Sequence, residues 1–469
     1  MPQPRWLAPA LEYIPRWIEF QLRATRQPGC AIAICHKDTV VLDGAWGHAN
    51  QLRGIPLTPR HRFRVASHSK TFSAAAVMKL REQRRLKLDD RVGTFVDRLH
   101  RSVADVTLAQ LLSHSAGLVR DGADTTQWAL RRPYKDESEV REDLAGGTTI
   151  EPNTRFKYSN HGFALIGLAI EAITGERYRD WLAREIIGAA GLHETLPDAP
   201  VPKGTPLAAS HTAELPLGRR LVVPNDDSLR ALVPAGGVVS TAADLVRFFA
   251  SLSPGAKRSV LSVASRREMI RRQWRDPDAA LERWYGLGTL CGSLADWHWF
   301  GHSGSLPGHM TRTAVVPAHD LAVSVLTNCN DGLPWPWLDG CLHVLRSYAR
   351  GGPPSARTAE WTGRWWSPWA AVDLVPMKDK VLVANPQWPN PMLDASEIEV
   401  ERPARSDRKQ AAQLNGTIAR ATGFASHGEP VRLIRDRRGN ASTLWLAGQQ
   451  LLPEADAIAD LQQRFGRDR

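Results

Sequence analysis

The sequence predicts an α/β chain in which an antiparallel sheet is flanked by helices and a helical region, followed by a separate all-β barrel at the carboxyl end. Three observations carry this prediction. The apolar run Cys30 to His36 is followed, after Lys37-Asp38, by Thr39 to Gly44, which reads as a hairpin of two strands. Strand character then returns around Leu287 to Leu290, Trp297 to His302, Arg312 to Val316 and Leu321 to Thr327, with a closing helix from Leu342 to Tyr348. Beyond Gly351-Gly352-Pro353-Pro354-Ser355 the composition shifts to short strands with turn signals. The expected domains are therefore residues 1–350 and 357–469, joined by a linker at 351–356. A chain of 469 residues with 43% hydrophobic content is long enough to give each its own core.

Taken in order, Leu11, Ile14, Trp17, Ile18 and Leu22 fall at helical spacing and predict an amphipathic first helix. That segment lacks the apolar core and small-residue cleavage site of a signal peptide, which leads to an expectation of a cytoplasmic protein. The longest apolar run, Gly162 to Thr174, is too short to cross a bilayer and contains Glu171, so no membrane partner is expected. Cys30, Cys35, Cys291, Cys329 and Cys341 are odd in number and lack metal-type spacing, which suits reduced thiols. The net charge of +11 invites a nucleic-acid reading, but the arginines are scattered and no binding motif appears, so nucleic acid is not an expected partner; a basic entrance would favour anionic substrates. No cofactor and no metal are expected.

After the hairpin, Arg64 to Leu80 opens polar and continues as a small-residue run of strong helix propensity. Ser67 stands at its start and Lys70 three residues on, so hydroxyl and amine share one face. A serine needs a base to become a nucleophile, and burial lowers a lysine's pKa toward the working range. The chain has 49 Arg and 11 Lys, so lysine here departs from the local habit, and arginine could not act as a base. Helices dominate the middle: Asn160 to Ile173 is closed by Thr174-Gly175, and Ser240 to Asp244 caps a helix running through Phe249. Past the linker, Trp361 to Trp365, Lys380 to Ala384, Glu397 to Glu401, Gly416 to Ala419, Val431 to Arg435 and Ser442 to Ala447 read as about six strands of a small barrel, with Asp436 to Asn440 as one hairpin turn.

Three separated stretches, Ser67-His68-Ser69-Lys70, Tyr158-Ser159-Asn160 and His302-Ser303-Gly304, fall in the order of the S-x-x-K, S-D-N and K-T-G elements of β-lactamases and penicillin-binding proteins. The Tyr-x-Asn form resembles the class C branch, and His in place of the third-element Lys resembles its esterase and D-aminopeptidase relatives. Leu111 to Leu118, Pro234 to Val238 with Ser240 to Leu245, and Gly301 to Gly308 are also similar to signature stretches of that family, so the resemblance covers residues 10–350. It implies a β-lactamase/transpeptidase-like fold with a lipocalin-like carboxyl-terminal barrel. It also implies an acyl-enzyme mechanism: Ser67 as nucleophile, Lys70 and Tyr158 as acid and base, Asn160 holding the lysine or a substrate amide, His302 at the place of the family lysine, and the N–H groups of Ser67 and Ser305 as oxyanion hole. His302, Ser303, Gly304, Ser305 and Asn160 would line the substrate site.

The expected activity is hydrolysis of an ester, small amide or short peptide. β-Lactamase activity and a non-catalytic binding module of the same fold stand as alternatives. His302 argues against the former, because a lysine there would pair with a β-lactam carboxylate. Two competing site readings come from the same strand. Gly301 to Ser305 falls one residue short of the G-x-S-x-G elbow, and His298 with His302 lacks the glutamate of H-E-x-x-H. Stereochemical preference, oligomeric state and the role of the second domain have no sequence signal.

Overall fold

The structure, a computed structural model, describes residues 3–224, 226–401, 412–422 and 426–466. Two compact units emerge: Arg26–Leu338, and Met1–Thr25 together with Asp339–Arg469. The division falls inside the helix Pro334–Gly351, ahead of the glycine-proline stretch at 351–356. That helix is longer than the expected Leu342 to Tyr348 because Pro334 opens it, where a missing N–H is tolerated.

The first unit is built on an antiparallel sheet. Its nine described strands run in the order Ile55–Pro56, Thr39–Asn50, Gly29–His36, Leu321–Thr327, His309–Val316, Trp297–Leu306, Leu290–Leu294, Arg283–Tyr285 and Trp274–Arg275. The amino-terminal hairpin and the late strands thus meet at the sheet centre, where Cys30 to His36 pair with Thr327 to Leu321. Gly29–His36 and Leu321–Thr327 are buried along their whole length, as strands covered on both faces must be, and this is why both read as unbroken apolar runs. Trp297–Leu306 continues past the expected end at His302. Pro307-Gly308 makes a two-residue turn with Gly308 at φ +78°, so Leu306 pairs with His309 and the small polar residues 303 to 305 stay in the ladder.

The helix Ser69–Glu82 is the unit's centre, buried without interruption from Ser69 to Met78. Its alanines allow close approach of the helices Asn160–Thr174 and Val233–Gly236, and Phe72 stacks on Phe248 of Ala242–Ser251 at 3.8 Å. An antiparallel sheet with helices packed on it is the arrangement that the family resemblance implies.

In the second unit, eight strands follow one another as an up-and-down meander from Gly363–Trp366 to Gln449–Leu451. The first and last edges meet through Trp366 and Leu452, with N–H to O distances of 2.7 and 2.9 Å, so the barrel nearly closes and leaves little free edge. The six expected strands are two short of this. Ala371–Met377 contains Pro376, which reads as a strand breaker, and Gln449–Leu451 has only three residues. Trp361 and Trp365 fill the barrel core, whereas Trp369 is 87% exposed. The amphipathic helix Leu7–Ala24 belongs to this unit. Its Tyr13 hydroxyl donates to Asp373 at 3.0 Å, its Phe20 lies 5.9 Å from Trp366, and Trp17 is fully buried beside Gly340.

Candidate active site

Ser67 owes its position to a strained turn. The chain leaves the strand Phe63–Arg64, passes Ala66 at φ +49°, and makes a 3-10 turn at Ala66–His68 before the α-helix begins at Ser69. A left-handed alanine costs of order 1–3 kcal/mol and persists only where its surroundings over-determine it. Here they do. The His68 ring bridges the Val65 carbonyl and Thr313 Oγ1, both at 2.9 Å, while Ser69 Oγ donates to Ala66 O at 2.7 Å and accepts from Val238 N–H at 2.9 Å. Gly304 presses against the same turn: a Cβ there would sit 2.2 Å from Val65 O. With its neighbours buried, Ser67 alone in this turn is left partly accessible, at the wall of a cavity of about 1020 Å³.

Lys70 is fully buried. Its Nζ lies 3.1 Å from Ser67 Oγ, 2.7 Å from Asn160 Oδ1 and 2.8 Å from the Ala235 carbonyl. Burial pushes its pKa well below the usual lysine range; Asp121 opposes this and Arg120 adds to it. Tyr158 donates its hydroxyl to Ser67 Oγ at 2.9 Å, and burial holds that phenol well above its ordinary value. Burial thus drives the two pKa values apart, the amine's downward and the phenol's upward, each toward its uncharged form. A neutral amine has two N–H bonds and one lone pair. With the Asn160 and Ala235 carbonyls as acceptors for those N–H bonds, the neutral form would turn its lone pair toward Ser67 Oγ.

Tyr158-Ser159-Asn160 also does the ordinary work of a helix start, since Ser159 caps the helix Asn160–Thr174 by accepting from Gly162 N–H at 2.9 Å. The cap fixes the backbone that aims Tyr158 and Asn160. His114, at φ +59°, supports the same backbone: its Nδ1 accepts from Ser159 N–H at 3.1 Å and its ring lies 4.1 Å from that of Tyr158.

On the closing strand, His302 is buried with both ring nitrogens engaged. Nε2 is 2.9 Å from Tyr285 Oη, and Nδ1 lies within reach of the Ser303 backbone, 2.7 Å from its O and 3.0 Å from its N. Burial, followed by His68 and Lys70, lowers its pKa, so it carries no charge at neutral pH. Leu306 and His309 form the hydrogen-bonded pair that closes the two-residue turn, so the Ser305–Met310 pair is of the open type. Ser305 N–H therefore points off the strand edge beyond the last pairing with Leu290–Leu294, on the side of the cavity. Ser67 N–H precedes the first bonded N–H of its 3-10 turn, His68 to Val65 O.

The structure thus brings together Ser67, Lys70, Tyr158, Asn160, His302, Ser303, Gly304 and Ser305 around one cavity. Asp121, Tyr285 and the Ala235 carbonyl also belong there, and no sequence motif marks the first two. Ser303 lies within a strand and not at a strand-to-helix turn, so no nucleophile elbow forms. His298 is exposed and bonded to Ser293 Oγ, apart from His302. All five cysteines are free and buried, and no described helix is long and apolar enough to cross a membrane.

The family model for Beta-lactamase matches residues 15–334. Penicillin-binding protein 4 of Amycolatopsis lactamdurans is 30% identical over 323 residues, 64% of this chain and 81% of that protein. Among solved structures, the octameric penicillin-binding protein homologue from Pyrococcus abyssi is similar with a TM-score of 0.64 at 20% identity, covering 94% of this chain and 99% of its own. The D-amino acid amidase from Ochrobactrum anthropi SV3 is similar with a TM-score of 0.61 at 21% identity, covering 72% and 99%. The family match spans more than half of the chain and the solved structures share the fold; the chain belongs to the beta-lactamase family, whose members are serine hydrolases.

Proposed function

We propose that this chain hydrolyses an ester or a small amide or peptide bond through an acyl-enzyme at Ser67. The observation that carries the reading is that Ser67 Oγ lies within hydrogen-bond reach of both Lys70 Nζ, at 3.1 Å, and Tyr158 Oη, at 2.9 Å. Neutral Lys70 takes the hydroxyl proton as Ser67 Oγ forms a bond to the substrate's acyl carbon. The carbonyl oxygen gains the negative charge, held by the N–H groups of Ser67 and Ser305. As the tetrahedral centre collapses, Tyr158 gives its proton to the departing oxygen or nitrogen and is reprotonated from Lys70. Water then attacks the acyl carbon, losing a proton to the same pair, and Ser67 recovers its own.

The cavity, at about 1020 Å³, suits a small-molecule substrate. Neutral His302, with both ring nitrogens already bonded, offers no fixed charge for a β-lactam carboxylate. That favours esters and simple amides over antibiotic hydrolysis. Amino-acid amides merit inclusion because one of the similar folds is a D-amino acid amidase. The test is a rate panel of p-nitrophenyl esters, L- and D-amino-acid amides, short peptides and a chromogenic cephalosporin. Turnover of an ester or amide that disappears in Ser67→Ala is expected. No turnover with any member would favour the binding module, and a cephalosporin processed faster than all others would overturn the role given to His302.

A further inference from the structure

Asp121 lies outside the three motifs, on the loop that follows Leu111 to Leu118, and none of the roles above uses it. Its carboxylate is nearly buried, at 7% exposure. One oxygen accepts from Asn160 Nδ2 at 2.6 Å, the short distance of a charge-assisted bond, and the other pairs with Arg120 Nε at 3.0 Å. The Arg120 guanidinium in turn lies 5.5 Å from the centre of the Tyr158 ring. An ionised carboxylate only accepts hydrogen bonds, whereas a carboxamide donates at one end and accepts at the other. Asp121 therefore compels Asn160 to turn its NH2 away from Lys70 and its oxygen toward it, at 2.7 Å. Were the amide reversed, its NH2 would compete for the lysine lone pair, the one feature of the amine that can remove the Ser67 proton.

We infer that Asp121 is a positioning residue that, through Asn160, aims the Lys70 lone pair at Ser67. The inference rests on the proposed acyl transfer at Ser67. It carries a second consequence through charge. The charged and titratable groups facing Lys70 are Asp121 and Arg120 on one loop, His114 just before it, Tyr158 beside the helix start and His302 on the closing strand. Of these Asp121 is the anion, and it favours the protonated lysine. Its neutralisation lowers the Lys70 pKa further while removing the constraint on the amide. The two effects are separable: the maximum rate falls, and the acid limb of the pH profile moves to lower pH.

The experiment measures kcat and KM against pH for wild type, D121N and the smaller neutral D121S, with thermal unfolding of each and fluorophosphonate labelling of wild type. The expected result is a fall in kcat of about tenfold or more, a fraction of the general-base contribution, with KM little changed and the acid limb displaced to lower pH. A folded variant that keeps wild-type kcat and the wild-type limb overturns the inference, as does a kcat loss with the limb unmoved. If D121N does not fold, D121S is read alone; failure of both to fold makes Asp121 structural and also overturns it. Labelling separates the two claims. Wild type without an adduct on Ser67 sinks the acyl-transfer reading itself, while a labelled wild type beside an unchanged variant sinks only the role of Asp121.

Discussion

At Ser67 one hydroxyl is shared by two groups that burial drives in opposite directions, a lysine toward the free amine and a tyrosine toward the intact phenol. The sign of each pH limb follows. In the proposed reaction Lys70 acts as the neutral amine, so kcat/KM should be lost as pH falls through its depressed pKa. In the same proposal Tyr158 serves the leaving group in its protonated form, so activity should be lost again only when pH rises past its elevated pKa, well above 10. A pH–rate profile whose acid limb lies well below the usual lysine range and whose alkaline side holds past pH 10 is expected, and an alkaline limb near pH 8 would contradict it. Tyr158→Phe removes the hydroxyl and little else. It should lower kcat by about a hundredfold or more and leave the melting temperature close to wild type; turnover within a few-fold of wild type would take Tyr158 out of the mechanism. Lys70 has no such clean replacement, because arginine at a fully buried position adds volume as well as removing the base.

At the scale of elements, the site is the place where the turn Ala66–His68 is clamped between the closing strand and the central helix. Gly304 makes the clamp possible. Gly304→Ala places a Cβ 2.2 Å from Val65 O, against backbone that cannot yield without moving Ser67, so it should cost about 1–3 kcal/mol of stability and most of the activity. Gly146→Ala, whose Cβ would meet nothing within 4 Å, is the matched control and should leave both unchanged. Denaturant unfolding and turnover measured together decide this, and equal behaviour of the two variants would remove the clamp from the account. The motif-bearing residues were legible through the order of three stretches that resembles the family's, and only Ser67 with Lys70 was marked as well by its spacing on one helical turn. Asp121 and Tyr285 were not. Each meets the site through a contact distant in sequence, Asp121 with Asn160 and Tyr285 with His302, and neither stands in a pattern that periodicity or capping would reveal.

For the whole molecule, the two units set different dependences. The fold class was readable because fully buried strands give apolar runs and the first hairpin is local. The barrel was readable only in part, since Pro376 and a three-residue strand carry weak signals. The grouping of the first helix with the barrel was not readable at all, because amphipathic spacing says that a helix has a buried face and not what covers it. Trp17 is fully buried in the barrel unit, so Trp17→Ala should cost roughly 3–5 kcal/mol in denaturant unfolding of that unit. In the first unit, burial pushes His68 down to about 4, and His114 and His302 also below their ordinary value. Between that pH and about 6.5 the unfolded chain binds protons that the folded one does not. Stability is therefore full above about 6.5 and falls as pH is lowered toward 4, with His68 alone accounting for about 3 kcal/mol. A melting temperature flat across that window would contradict the neutral buried histidines.

The central claim is that Ser67 is the nucleophile. Intact-mass analysis of the full chain after fluorophosphonate treatment, with peptide mapping of the product, tests it most directly. One adduct on Ser67, absent from Ser67→Ala, is predicted; an adduct that persists in Ser67→Ala or maps to Ser303 would contradict it.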